Sequence, residues 1–256
     1  MPQYIFGAGN MWGIPLQDAS GVAITNPTPV PIGTLQDISA DFSFEVKKLY
    51  GQKQFPVAVG RAKGSMSFKA KSADIDAAAW NSLYFGQTLA AGLVDDVIAI
   101  VGVAIPTTPF QITPVPPNSG AWSADLGVVN TAGLRFTRVA SAPTTGQYSV
   151  TAGVYTFASA DNGSGMSVLI NYQYTAALPS SARKLTVTNL DMGLIPTFRA
   201  ELYTKYLGKT LVLSIPSAVS TKLSLSTKLD DFAIPEFDFE GFADATGNVM
   251  TFSISG

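Results

Sequence analysis

Between residues 40 and 46 the chain alternates without a slip. Ala40, Phe42, Phe44 and Val46 fall on one side, and Asp41, Ser43, Glu45 and Lys47 on the other. A period of two is what a half-buried β-strand requires, and a helix of period 3.6 cannot use it. The same grammar returns at residues 65–71, where Met66, Phe68 and Ala70 alternate with Ser65, Ser67, Lys69 and Lys71. Near the other end it recurs in Phe198, Ala200, Leu202 and Thr204, in Leu211, Leu213 and Ile215, in Phe237 and Phe239, and in Met250, Phe252 and Ile254. A mostly antiparallel β fold is the expectation. Residues 48–56 between the first two strands read as a long polar connection, longer than a tight hairpin needs.

One helix is expected, over residues 72–86. Ser72 can cap it, Asp74 and Asp76 suit the positive end of its dipole, and Gly86 can end it. Ile75, Ala79 and Leu83 recur at four-residue spacing, so one stripe should pack on a sheet.

A proline-rich run holding Pro106, Pro109, Pro114 and Pro116, and a second break at 179–183, bracket a segment of different character. Within it, residues 134–139, 147–150, 154–157 and 168–174 read as short strands separated by turn chemistry. Val168, Ile170, Tyr172 and Tyr174 share one face of the last. We therefore expect a small β-sandwich at 109–179, inserted into a main β domain made of 34–108 and 180–256. Residues 1–33, with Pro27, Pro29 and Pro31 in alternation, read as an N-terminal arm. Its hydrophobes, Tyr4, Ile5, Phe6, Met11, Trp12, Ile14 and Leu16, are too many for a freely solvated tail.

Composition narrows the chemistry. The 256 residues include no Cys and no His, which removes the usual ligands of zinc, iron–sulfur and haem sites and the usual general base. Asp95-Asp96, Asp230-Asp231 and the Glu236/Asp238/Glu240 series could in principle serve a hydrolase or a Mg²⁺ ion, but acidic strand faces are commonly just solvated. We assign no catalytic, cofactor-binding or metal-ligating residue and expect no enzyme. The longest apolar run, residues 97–105, is too short to span a bilayer as a helix, and the first residues lack the basic-then-apolar pattern of a secretion signal.

The formal net charge is only −2, and charged residues are 13% of the chain. The charges are nevertheless segregated. Residues 46–71 carry Lys47, Lys48, Lys53, Arg61, Lys63, Lys69 and Lys71 without an acid, while residues 229–256 carry Asp230, Asp231, Glu236, Asp238, Glu240 and Asp244 without a base. Either these strands neutralise each other inside one sheet, or they lie on opposite faces so that copies attract head to tail. The second arrangement is the sharper expectation, because such a heterologous contact closes into rings or runs on as a filament.

Residues 33–64, continuing through 73–86, and residues 222–249 resemble the major tail tube proteins of long-tailed, siphovirus-like bacteriophages. The resemblance implies a tail-tube-type β-sandwich or barrel with one flanking α-helix, plus an outward-facing immunoglobulin-like insert. It implies six copies in a ring, hairpins lining a continuous barrel, and rings stacked into a hollow tail tube that delivers genomic DNA. Partners would be the chain itself, a tape measure protein, tail terminator and baseplate or tip proteins, and passing DNA touched non-specifically, with no membrane insertion. The place would be the virion tail, assembled in the bacterial cytoplasm. Carried onto this sequence, inter-protomer contact falls to Lys47, Lys48, Tyr50, Lys53 and Phe55, and to Asp230, Asp231, Glu236, Asp238 and Glu240. A phage adhesion or capsid-decoration protein, its insert binding a host carbohydrate or protein, is the alternative.

Overall fold

The computed structural model describes residues 4, 6–163, 165–179 and 181–255. Met1, Pro2, Gln3 and Ile5 of the arm, and Ser164 of the turn at 161–165, lie outside the described residues. The fold is mainly β, with several antiparallel sheets and little helix. It divides into two units, one of Met1–Leu89 with Leu185–Gly256 and one of Ala90–Lys184.

In chain order the first unit begins with β1 (Asn10–Gln17), β2 (Val30–Pro31), β3 (Leu35–Tyr50) and β4 (Pro56–Ser72), then a short α1 (Ala77–Trp80) that widens into a π-turn at Asn81–Phe85. β5 (Leu89–Ala91) leads to the second unit, which holds β6 (Leu93–Val97), β7 (Val103–Ala104), β8 (Gln111–Ile112), β9 (Ala121–Asn130), β10 (Thr137–Arg138), β11 (Gln147–Thr151), β12 (Val154–Phe157), α2 (Ser159–Gly163) and β13 (Ser167–Ala176). β14 (Arg183–Leu185) returns the chain to β15 (Thr197–Tyr206), β16 (Lys209–Ser224), β17 (Glu236–Gly241) and β18 (Thr251–Ile254) of the first unit.

The first unit is one sheet in the order β2-β1-β15-β16-β17-β4-β3, with β18 also on β16. Its two outermost strands, β2 and β3, are joined by only Ile32, Gly33 and Thr34. So short a link spans at most about 14 Å, which forces the strip to roll until its ends nearly meet. Met11, Phe68, Phe198, Ile215, Phe237 and Phe239 fill the inside, and Phe68 stacks on Phe239 with ring centroids 4.7 Å apart. The helical segment plugs the roll. Leu83 is buried in the core, and its carbonyl accepts a 2.6 Å bond from Ser220 Oγ.

Two expectations are corrected here. The N-terminal segment is not simply an arm, because β1 pairs with β15 from Asn10↔Tyr203 to Gln17↔Thr197 and places Met11 in the core. The helix is much shorter than residues 72–86. Ser72 is the end of β4, and Asp74 accepts from Thr34 N and Oγ1, both at 2.8 Å, so Asp76 becomes the cap, accepting from Ala78 N at 2.8 Å and Ala79 N at 3.3 Å. Ile75 is exposed, while Ala79 and Leu83 are buried as their spacing requires. Gly86 does terminate the segment, with φ of 61°.

The second unit is a sandwich of two four-stranded sheets around one core. β13 is its spine, with β9 on one edge and both β6 and β7 on the other. Val168, Ile170, Tyr172 and Tyr174 are all buried on its inner face. Since β6 and β7 are needed to satisfy that edge, the inserted unit starts at Ala90 rather than at 109, and it ends at Lys184. The strand read at 134–139 contracts to Thr137–Arg138, and β9 escapes the alternation test because its pairing with β13 shifts register twice.

Two carboxylates lie inside this sandwich: Asp161, which accepts from Gly146 N at 3.1 and 3.2 Å, and Asp125. The Asp125 side chain is 4% exposed and accepts bonds from Tyr148 Oη at 2.7 Å, Tyr155 Oη at 3.1 Å and Gly127 N at 3.1 Å, with Arg138 3.6 Å away. Burial, reinforced by the neighbouring Asp125, pushes both phenols well above the ordinary tyrosine range.

Candidate self-assembly surface

β3 and β4 form a hairpin far longer than the core it serves. Their register runs from Leu35↔Ser72 at the base to Tyr50↔Pro56 at the tip, so the strands continue well into residues 48–56 and the turn is only 51–55. Val57, Val59, Leu49 and Tyr50 suit extended backbone, which is why the expected long loop is mostly ribbon. β17 pairs with β4 only from Lys71 to Ser67. Beyond that and past the buried Met66, residues 56–65 stand outside the roll, about 33 Å of two-stranded ribbon.

Its two faces differ. Cross-strand pairs Phe42↔Met66, Phe44↔Gly64, Val46↔Arg61 and Lys48↔Val59 share the face continuous with the core, a register shift between Phe44 and Val46 keeping the apolar side chains together. Phe42 packs edge-on against Phe68, and the Arg61 guanidinium lies 4.6 Å over the Phe44 ring. The opposite face carries Asp41↔Ser67, Ser43↔Ser65 with hydroxyls 2.7 Å apart, and Lys47 beside Glu45 at 3.4 Å.

The sequence led us to expect Phe42, Phe44 and Val46 on a buried face. They are instead 49%, 55% and 52% exposed, because the core layer ends at Met66 and Phe68 and the ribbon runs past it. A groove of about 700 Å³ opens between this face and the segment 241–250, lined by Phe42, Phe44, Met66, Phe242, Val249 and Met250 among others. Phe252 and Ile254 of β18, read as a core alternation, are also exposed. These apolar positions were missed as contact candidates.

Both edges of the ribbon are open. β3 ends the sheet order, so its outer edge has no partner strand among the described residues, and β4 lacks one beyond Ser67 on its far side. Unpaired N–H and C=O rows of this length invite another strand.

The ten candidate contact residues separate into three places. Lys47, Lys48, Tyr50, Lys53 and Phe55 cluster at or near the hairpin tip, all exposed. Asp230 and Asp231 lie in the exposed loop at 225–235. Glu236, Asp238 and Glu240 are on β17, inside the sheet, where Glu236 faces Lys71 and Asp238 faces Lys69. Lys71 Nζ and Lys222 Nζ reach Glu236 at 3.3 and 3.7 Å, and Lys71 chiefly holds that carboxyl below its usual pKa. The expectation that the basic and acidic stretches lie on opposite faces is therefore overturned for β17 and the base of β4. Strand pairing matches them within one copy.

Among the described residues no group of three or more acidic side chains is placed to hold a metal ion. Among the described residues no helix is long and apolar enough to cross a membrane. The chain matches no family model, and no curated protein sequence matches it.

Proposed function

We propose that this chain is the repeating subunit of a hollow protein tube, of the kind formed by the major tail tube proteins of long-tailed bacteriophages, and that it serves to conduct the genome to the host. The observation that carries the reading is the β3–β4 ribbon, with two open edges and an apolar face bare over Phe42, Phe44, Val46 and Val59. A two-stranded ribbon is marginal in water by itself. Covering its half-exposed apolar side chains is worth on the order of 1 kcal/mol each, and pairing its edges satisfies the backbone. Identical neighbours in a closed ring supply both along every ribbon, and closure leaves no edge.

In this arrangement the Ser- and carboxylate-bearing face of the ribbon lines the bore, which is neutral or acidic overall so that DNA slides without being gripped. Lys48 and Lys53 turn toward other copies, whereas Lys47 shares the bore-lining face, its charge offset by Glu45 at 3.4 Å. A tape measure protein, a terminator and tip proteins are the expected further partners, the virion tail the expected place, and six the ring number implied by the resemblance.

Electron microscopy of the concentrated, purified chain tests this. Rings or tubes with an open axial channel are expected. Discrete closed oligomers that never stack would favour the adhesion or decoration reading, and a bore dominated by Lys and Arg would defeat the proposed passage of DNA.

A further inference from the structure

The segment that carries α2 toward β13 contains Asn162-Gly163, the one Asn-Gly pair in the sequence. Every other asparagine is followed by a residue whose side chain crowds the intervening backbone nitrogen, and glycine leaves that nitrogen open. Asparagine is among the thermolabile residues of proteins. Here the chemistry is intramolecular. Gly163 N, on losing its proton, can add to Asn162 Cγ; the new C–N bond closes a five-membered succinimide, the Cγ–Nδ2 bond breaks, and the amide nitrogen leaves as ammonia. Water then opens the ring at either carbonyl and gives aspartate or isoaspartate at 162.

The fold opposes the first step in two ways. Asn162 and Gly163 lie in α2, and ring closure needs a backbone arrangement at Asn162 that a helix does not supply. The half-buried amide is also anchored. Its Nδ2 donates to Ile105 O at 2.5 Å, and Ile105, 3% exposed, donates from its own N to Met166 O at 3.1 Å. These bonds tie α2 to the end of β7.

The product cannot restore the tie. A carboxylate at 162 has no N–H to give, and it would set an oxygen against the Ile105 carbonyl, next in sequence to Asp161, which is 1% exposed and already accepts from Gly146 N. A buried carbonyl that loses its donor, and a charge added beside it, both disfavour the closed sandwich.

We propose that Asn162-Gly163 is a self-modification site gated by opening of the inserted unit. The closed unit holds the amide unreactive, each local opening frees it, and reaction keeps the unit from closing as before. This stands apart from the tube reading.

The full-length chain, incubated at mildly alkaline pH in buffer and in concentrated urea, tests the gate. Peptides spanning residue 162 are read by mass spectrometry for exchange of ammonia for water, and for isoaspartate. Reaction at Asn162 in urea is expected, at least about tenfold slower in buffer, and suppressed in urea by Gly163→Ala. Asn162→Asp, which makes one product directly, should lower the melting transition of the Ala90–Lys184 unit by several degrees and leave the other unit unmoved. Asn162→Ala loses the donor without adding a charge and should shift it less. Equal rates in buffer and urea would overturn the gate, and an Asn162→Asp transition at the wild-type temperature would overturn its one-way character. The rate comparison uses the wild-type chain, so it decides the gate even should Asn162→Asp not fold.

Discussion

Lys71 Nζ lies 3.3 Å from Glu236 Oε1, across the junction of β4 and β17. The pair sits at the base of the ribbon, on the outer face of the rolled sheet, with both side chains partly exposed. Because Lys71 depresses the carboxyl pKa in the folded chain, the stabilisation is complete above the ordinary glutamate pKa and fades as pH falls through the lowered value. Glu236→Gln should therefore melt slightly earlier than wild type at pH 7, and the gap should vanish in strong acid. Melting curves of both proteins between pH 7 and pH 2 check this; a gap that persists unchanged would show that the pair contributes through packing alone.

The buried Asp125 should matter far more than any surface charge. Asp125→Ala strips the partner from Tyr148 and Tyr155 inside a closed core, and removing one side of such a cluster costs about 3 kcal/mol or more. Two-phase thermal unfolding is expected, with the transition of the Ala90–Lys184 unit moved down and that of the other unit unmoved.

Alkaline pH should unfold the same sandwich. Tyr148 and Tyr155 have raised folded-state pKa values, so their contribution is intact below the ordinary tyrosine value of 10.0 and is lost progressively as pH climbs above it. Absorbance of tyrosinate at 295 nm followed alongside circular dichroism should show two phenols ionising only together with loss of structure. Ionisation of every tyrosine before any structural change would refute the buried placement.

Phe44 and Phe68 belong to the same alternating hairpin and should behave oppositely. Phe68→Ala removes a ring that is 1% exposed and stacked on Phe239, at a cost of about 3–5 kcal/mol. Phe44→Ser forfeits little beyond the Arg61 contact, under about 1 kcal/mol, yet should sharply reduce self-association. Denaturant titration with sedimentation equilibrium separates the two effects.

Gly86 occupies a left-handed conformation where an added Cβ would lie 2.6 Å from Ala19 N. Gly86→Ala should cost about 1–3 kcal/mol, read from urea unfolding of the unit that contains it.

Local pattern alone was enough for the β class, since strand periodicity belongs to residues adjacent in the chain: Phe198, Ala200, Phe237 and Phe239 are all buried as their alternation requires. It likewise placed the stop at Gly86 and the inner face of β13. Only the tertiary structure decided which strands became neighbours, and so that Glu236 meets Lys71 within one copy and that β6 completes the inserted sandwich. It also decided where the core stops. Phe42 and Phe68 carry the same alternation, and nothing local distinguishes them. The difference arises because β17 covers β4 only as far as Ser67, leaving the remainder of the hairpin with neither a sheet partner nor a packing layer.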